Sequence, residues 1–369
     1  MDEQRRTEQK ERLEFRGGWG MSFLPAVIFL FFCVLYFVIF KAFEMYALAM
    51  GAFVGLLAGG LFVKKGHYDR FWDAVHKGAD EAVPIGILLL IIGMFAEMIK
   101  TANLSSGFVC LADSFHVKGG LFTAFTFFAV CVIATATGSS LGTMFTCFPI
   151  FYPAGILLGS SAPVLAGAIV GGAIFGDNLA PISDTTIISA GTQEYTKKPG
   201  TADVGGCVAT RLKYSLTAGS ISFVLFWVFG GGGTGGNGGE KLLAENMDPS
   251  TLIMLIPVVV MLAVAVKSRN IYKAITVGLV LGSVLGVASG ILKLSDILSI
   301  SDGAPAGFLT SGISGMMATV VLVLSVYGIM GVLTAAGVMD RIADGILRSR
   351  LGKTVRGAEI AMMLGISLT

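Results

Sequence analysis

Stretches of about twenty apolar residues, the length that crosses the hydrocarbon core of a bilayer, recur along the chain. They predict spans over residues 21–40, 42–63, 84–99, 119–137, 141–158, 164–176, 214–230, 251–266, 274–291 and 313–337, with a further one opening near 357. The expected fold is therefore an all-α polytopic membrane protein with about eleven transmembrane segments. Residues 67–82 (HYDRFWDAVHKGADEA) mix aromatic, charged and apolar side chains at helical spacing, which predicts an amphipathic helix lying at the interface.

Composition narrows this further. Of the 369 residues, 54% are hydrophobic and 14% charged, against about 25% charged in soluble domains, which excludes an ordinary soluble enzyme. The net charge of +2 gives no basic field for nucleic acid. Charge position is more informative, because Lys and Arg in short loops stay cytoplasmic. Basic residues cluster at Arg5–Arg16, at Lys64, Lys65, Arg70 and Lys77, and at Lys197, Lys198, Arg211 and Lys213. Further clusters are Lys267, Arg269 and Lys273, then Arg341, Arg348, Arg350, Lys353 and Arg356. All fall on one side when the predicted spans are single crossings, so the N-terminus is expected in the cytoplasm.

The halves of the chain look duplicated. Each begins with two long spans, near residues 21 and 251, and then has an apolar segment, ILLLIIGMFAEMIKTAN and VVLVLSVYGIMGVLTAAG. The first half starts inside and the second outside, the inverted-repeat arrangement of many secondary transporters. The expected organisation is a cytoplasmic tail over 1–20, a first repeat over 21–230, a linker over 231–250 and a second repeat over 251–369. The linker contains GGGTGGNGG with no following Gly-Lys-Ser/Thr, so it is not a phosphate loop. The five cysteines stand singly without metal-ligand spacing.

Two segments are polar where a lipid-facing helix would not be. Thr135–Thr143 (TATGSSLGT) separates two apolar runs with hydroxyls and glycines. A helix broken there exposes the carbonyl and hydroxyl oxygens that a hard cation needs when it sheds water; small residues that merely pack helices are the competing reading. Phe175–Ser189 holds Asp177 and Asp184 with Asn178, Ser183, Thr185 and Thr186 around them, and Pro181 interrupts any helix through both aspartates. A carboxylate in a low-dielectric crevice holds a proton more readily, while a bound cation favours its charged form. One site can thus exchange a proton for a metal ion. Capping and turn formation are the alternative use of these residues.

The string GDNLAPISDTTIISA (176–190) closely resembles the hallmark segment of the NhaC-type Na⁺/H⁺ antiporter family, and ATGSSLGT (136–143) matches that family's other polar segment. The resemblance implies inverted structural repeats with broken helices meeting at the ion site. It implies exchange of internal Na⁺ for external H⁺ at the cell membrane of a prokaryote. The ion path would comprise Asp177, Asp184, Asn178, Ser183, Thr185 and Thr186 together with Thr137, Ser139, Ser140 and Thr143, Na⁺ lying at the two aspartates. Partners are Na⁺, H⁺ and lipid; no cofactor and no nucleic acid are expected, and a homo-oligomer is left open. The wider family includes carriers that couple Na⁺ or H⁺ to organic anions such as malate and lactate, which keeps an organic-acid exchanger as the alternative. The second-half counterpart of 135–143, counted by offset, would fall just past Thr369, so a truncated fragment or a non-transporting scaffold is a third expectation.

Other candidates carry less. Glu97 lies inside an apolar segment, where an ionisable group points to function, yet Lys100 beside it offers a route to the interface. His67, His76 and His116 flank spans without a carboxylate partner. No Ser/His/Asp or HExxH arrangement gives hydrolysis a foothold.

Overall fold

The computed structural model describes residues 12–42, 44–114, 117, 119–180, 183, 186–187, 190, 200, 203–232, 248–268, 270–301, 303–338, 340–342, 345 and 357. It is almost entirely helical. In chain order the helices are α1 (Leu24–Cys33), α2 (Met45–Leu61), α3 (Tyr68–Thr101), α4 (Leu104–Ser114), α5 (Gly119–Thr137), α6 (Ser140–Leu157), α7 (Ala162–Leu179), α8 (Val204–Phe229), α9 (Leu255–Ser268), α10 (Ile271–Ala288) and α11 (Phe308–Ala335). A 3₁₀ turn and a π-helical stretch extend α1 into a continuous span, Trp19–Ile39. Among the described residues, eight helices are long and apolar enough to cross a membrane, and two shorter apolar ones, Met45–Leu61 and Pro249–Ala265, fall on predicted spans. The predicted span from 357 lies outside the described residues except at Gly357, as does most of the 231–250 linker.

Three features depart from the sequence pattern. The amphipathic segment 67–82 is not a separate surface helix but the first half of the 34-residue α3, which runs on through Pro84. Its apolar positions Phe71, Ala74, Val75 and Ala82 are buried in protein instead of lying on lipid. Second, a small antiparallel hairpin, β1 (Ser299–Ser301) and β2 (Ala304–Ala306), joins α10 to α11. Third, residues 12–16 are not a loose tail. Leu13 and Phe15 alternate into the core, and Phe15 pairs as an isolated bridge with Val63.

The chain divides into two compact units. The first comprises Met1–Leu90 with Met316–Thr369. Its core joins Leu13, Phe15, Leu56, Phe71, Val75, Val332 and Leu333. Within it α3 and α11 run antiparallel at backbone contact: a Cβ on Gly331 would strike the Ala74 carbonyl, one on Gly78 the Tyr327 carbonyl, and one on Gly86 would meet Val320 Cγ1 at 3.2 Å. The N-terminal segment clasps this unit. The Leu13 amide donates to the Ala335 carbonyl, the Arg16 amide to Phe62 and the Lys64 amide to Glu14, while Arg12 forms an ion pair with Asp340 at 2.8 Å. Arg12 and Arg16 are thereby brought beside Phe62–Lys64 and the end of α11. The Lys64 ammonium, through its hydrogen bond and charge, also holds the Glu14 carboxyl below its ordinary value of 4.5.

The second unit, Ile91–Gly315, carries both polar segments. α5 and α7 run parallel in close contact, with α6 returning antiparallel between them in sequence. Gly172 lets α7 approach the Phe127 carbonyl, which a Cβ would reach at 2.8 Å, and Gly176 does the same one turn later at the Cys131 carbonyl. At the far end the chain is stitched by the Gly119 amide to the Leu158 carbonyl, Ser160 Oγ to the Gly119 carbonyl at 3.0 Å, and the Ser161 amide to the Gly230 carbonyl at 2.8 Å.

Candidate ion site

The first polar segment is a helix break. α5 ends at Thr137; Gly138 follows at φ +66°, the left-handed conformation that closes helices at little cost to glycine. Ser139 is extended and its Oγ accepts from the Gly142 amide at 3.2 Å, capping α6, of which Ser140 is the first residue. Thr137 Oγ1 and Thr143 Oγ1 lie 3.0 Å apart across the break.

The second segment is also a break. α7 stops at Leu179, and Ala180 is extended (φ −73°, ψ 120°), the conformation imposed on a residue that precedes proline. Asp177 sits in the last turn, 8% exposed, and its Oδ1 has no hydrogen-bond partner among the described residues. Thr186 is 1% exposed and its Oγ1 is likewise without a partner among them. Ser183 is buried, and its amide donates to the Ala180 carbonyl. Asp184 and Thr185 lie outside the described residues.

The two breaks meet. Thr135 Oγ1 donates to the Gly176 carbonyl at 3.1 Å, so the last turns of α5 and α7 lie side by side. The final carbonyls of a helix lack intrahelical donors, and its C-terminal end carries about half a negative charge. Two such ends converge here with one buried carboxylate. That is an environment for a cation.

A cavity of about 350 Å³ opens at the first break, lined by Thr137, Ser139, Thr143 and Thr146 on α5, α6 and their junction, and by Met261, Asn270 and Ile271 on the α9–α10 side. The structure therefore brings together Thr137, Ser139 and Thr143; Asp177 and Ser140 are not among the lining residues. Thr146 and Asn270 escaped the sequence reading. Asn270 stands in a basic loop, where its helix-capping position was the only signal: its Oδ1 accepts from the Lys273 amide at 3.0 Å. Asn178 points elsewhere. It is exposed, and its Oδ1 accepts from Arg211 Nη1 of α8 at 2.8 Å, a pin that ties the end of α7 to α8. Glu97 is ion-paired with Lys100, one turn on, at 2.9 Å. Among the described residues no three His, Cys, Asp or Glu side chains are grouped to hold a metal, so any ion bound here would rest on oxygens of mixed kind.

Residues 18–230, more than half of the chain, match the family described as the Na⁺/H⁺ antiporter family. The chain belongs to that family. The match contains both breaks and the whole of α5 to α8. Among curated antiporters, the chain is 25% identical over 315 residues to the malate-2H⁺/Na⁺-lactate antiporter of Bacillus subtilis (strain 168), covering 81% of this chain and 65% of that protein. It is 25% identical over 375 residues to the arginine/ornithine antiporter ArcD of Halobacterium salinarum, covering 95% and 74% respectively. With the Na⁺/H⁺ antiporter NhaC of Bacillus subtilis it shares 22% over 322 residues, 80% of this chain and 69% of the other. The chain thus spans roughly two thirds to three quarters of the length of these relatives. No solved structure gives a significant match.

Proposed function

We propose that the chain is the Na⁺/H⁺-exchanging part of a secondary antiporter in the cell membrane of a prokaryote, moving cytoplasmic Na⁺ outward against inward H⁺. The observation that carries this reading is the buried Asp177, with an unpartnered oxygen, between the converging C-terminal ends of α5 and α7. Desolvating a carboxylate without a partner is costly, and either a proton or a cation removes the cost. Binding of one excludes the other. Na⁺ entering from the cytoplasm is held by Asp177, with Asp184 and the hydroxyls of Thr137, Ser139, Ser140, Thr143, Ser183, Thr185 and Thr186 as further donors on the path. The protein then faces outward, a proton replaces Na⁺ on the carboxylate, and the neutral site returns.

An exchanger of organic acids would need a cationic group facing the substrate carboxylate. Among the described residues the cavity lining has no Lys or Arg. This favours the inorganic cation. The test uses proteoliposomes with an internal pH dye, challenged in turn with Na⁺, Li⁺, K⁺, malate and lactate under an imposed pH gradient. Na⁺ or Li⁺ alone should relieve the gradient, and an obligate need for malate or lactate would sink the reading. Retention of Na⁺-driven exchange by both Asp177→Asn and Asp184→Asn would remove the aspartates from it.

A further inference from the structure

A groove of about 600 Å³ runs between α5, α7 and α8, and its lining is apolar apart from Thr135 and Ser220. Its inner wall is Phe127, Cys131 and Phe175; its rims, Phe128, Val132, Leu216 and Val224, are each more than half exposed. Side-chain contacts border it at two ends. At one, Phe226 of α8 stacks at a tilt on Phe127 with ring centroids 5.0 Å apart. At the other, Arg211 donates to Asn178, the residue before the groove-lining Leu179. Between them Gly219 keeps the floor open, since a Cβ there would stand 2.8 Å from Phe175 Cζ.

Charge singles out what fills this groove. On α8, Lys213 starts an i, i+3, i+7, i+11 stripe whose other members, Leu216, Ser220 and Val224, all line it. Lys213 therefore stands on the groove face, about 4.5 Å along the axis before Leu216, with its ammonium 5.3 Å from the ring centroid of the exposed Tyr214. An exposed tyrosine beside a lysine, where the polar first turns of α8 give way to its apolar stretch from Leu216 on, marks interfacial depth. Two cations, Lys213 and Arg211, thus flank the mouth of an apolar slot that opens sideways.

We propose that this groove holds one anionic phospholipid, its acyl chain lying along α8 from Leu216 to Val224 and its phosphate at Lys213 and Arg211. A zwitterionic headgroup carries the same phosphate but offsets it with its own ammonium, so it gains less from the cations, and a phosphate lacking a chain would leave the slot empty. Because Arg211 also pins the end of α7, the lipid phosphate and Asn178 compete for the same guanidinium, so the lipid bears on the helix end that carries Asp177.

The test uses the full chain, purified and stripped of lipid in detergent, titrated with dioleoylphosphatidylglycerol or dioleoylphosphatidylcholine. Native mass spectrometry counts retained lipids and thermal unfolding follows the titration. One phosphatidylglycerol per chain should bind, roughly thirtyfold more tightly than phosphatidylcholine for two contributing cations. Lys213→Gln should cut that preference by about fivefold. Val224→Trp fills the groove from its exposed rim without touching the packed interior, and should lower retention of both lipids. Equal binding of the two lipids, an unchanged preference in Lys213→Gln, or displacement by millimolar inorganic phosphate alone would overturn the proposal. So would a dimer that Val224→Trp disrupts with no lipid retained, since a second copy of the chain would then occupy the groove.

Discussion

Two helix pairs in this protein use the same device to opposite ends. In the first unit, α3 and α11 touch backbone to backbone through Gly78 and Gly331; α3 runs on through Pro84, while α11 ends at Ala335 with that carbonyl taken up by the Leu13 amide. In the second unit, α5 and α7 touch through Gly172 and Gly176, and both helices stop within one turn of the last contact. Glycine-mediated approach is a packing solution common in membranes. It is the ending of the helices, with the carbonyls it frees and the carboxylate it shelters, that separates a scaffold from a site.

The comparison breaks most sharply at the carboxylate. Asp177→Asn should drop Na⁺-driven relief of a pH gradient to the level of empty liposomes while leaving folding intact, because the amide keeps the shape and loses the charge. Next come the glycines. Gly331→Ala should lower stability by about 1–3 kcal/mol through overpacking, seen as a fall in the thermal midpoint, with the Na⁺ concentration for half-maximal exchange unchanged. Gly176→Ala should cost a similar amount of stability and also shift that concentration, because its contact positions Asp177. If both variants shift it equally, the division between scaffold and site fails.

A smaller effect is expected at Thr143→Val. This change removes one wall hydroxyl and the partner of Thr137, worth about 1 kcal/mol, and should raise the half-maximal Na⁺ concentration about fivefold. The smallest effect belongs to the clasp. Since Lys64 holds the Glu14 carboxyl below 4.5, the pair stabilises the fold above that pH and the contribution is lost as pH falls through the lowered value. Thermal midpoints of the wild type and Lys64→Gln should differ slightly near neutral pH and converge as pH falls below the lowered value, and high salt should shrink the difference, as for any exposed pair.

Both breaks were legible in the sequence because their causes are local. A Thr-Gly-Ser-Ser run supplies its own glycine stop and serine cap, and Pro181 dictates an extended Ala180. The spans were legible for the same reason, since length and apolarity are read directly. What escaped depends on partners distant in the chain. Nothing near Asn178 announces Arg211, 33 positions on, and nothing near Asn270 places it opposite Thr137. The charges of 67–82 suggested a surface helix because the burial of Phe71 and Val75 comes from residues near 13 and 332. In the same way the period-2 burial of Leu13 and Phe15 was hidden by the charged residues that alternate with them.

The clasp also sets an order of events during synthesis. Arg12 and Asp340 are 328 positions apart, and the Leu13 amide finds its acceptor only at Ala335. As the chain emerges, one edge of residues 12–16 can pair early with Phe62, Val63 and Lys64, while the other must wait until α11 has been inserted. The entropy of closing so long a loop rises only slowly with its length, so the delay is one of time more than of free energy. Until α11 arrives, Leu13 lacks half of its enclosure, which makes its protection from protease or hydrogen exchange a clock for completion of the first unit.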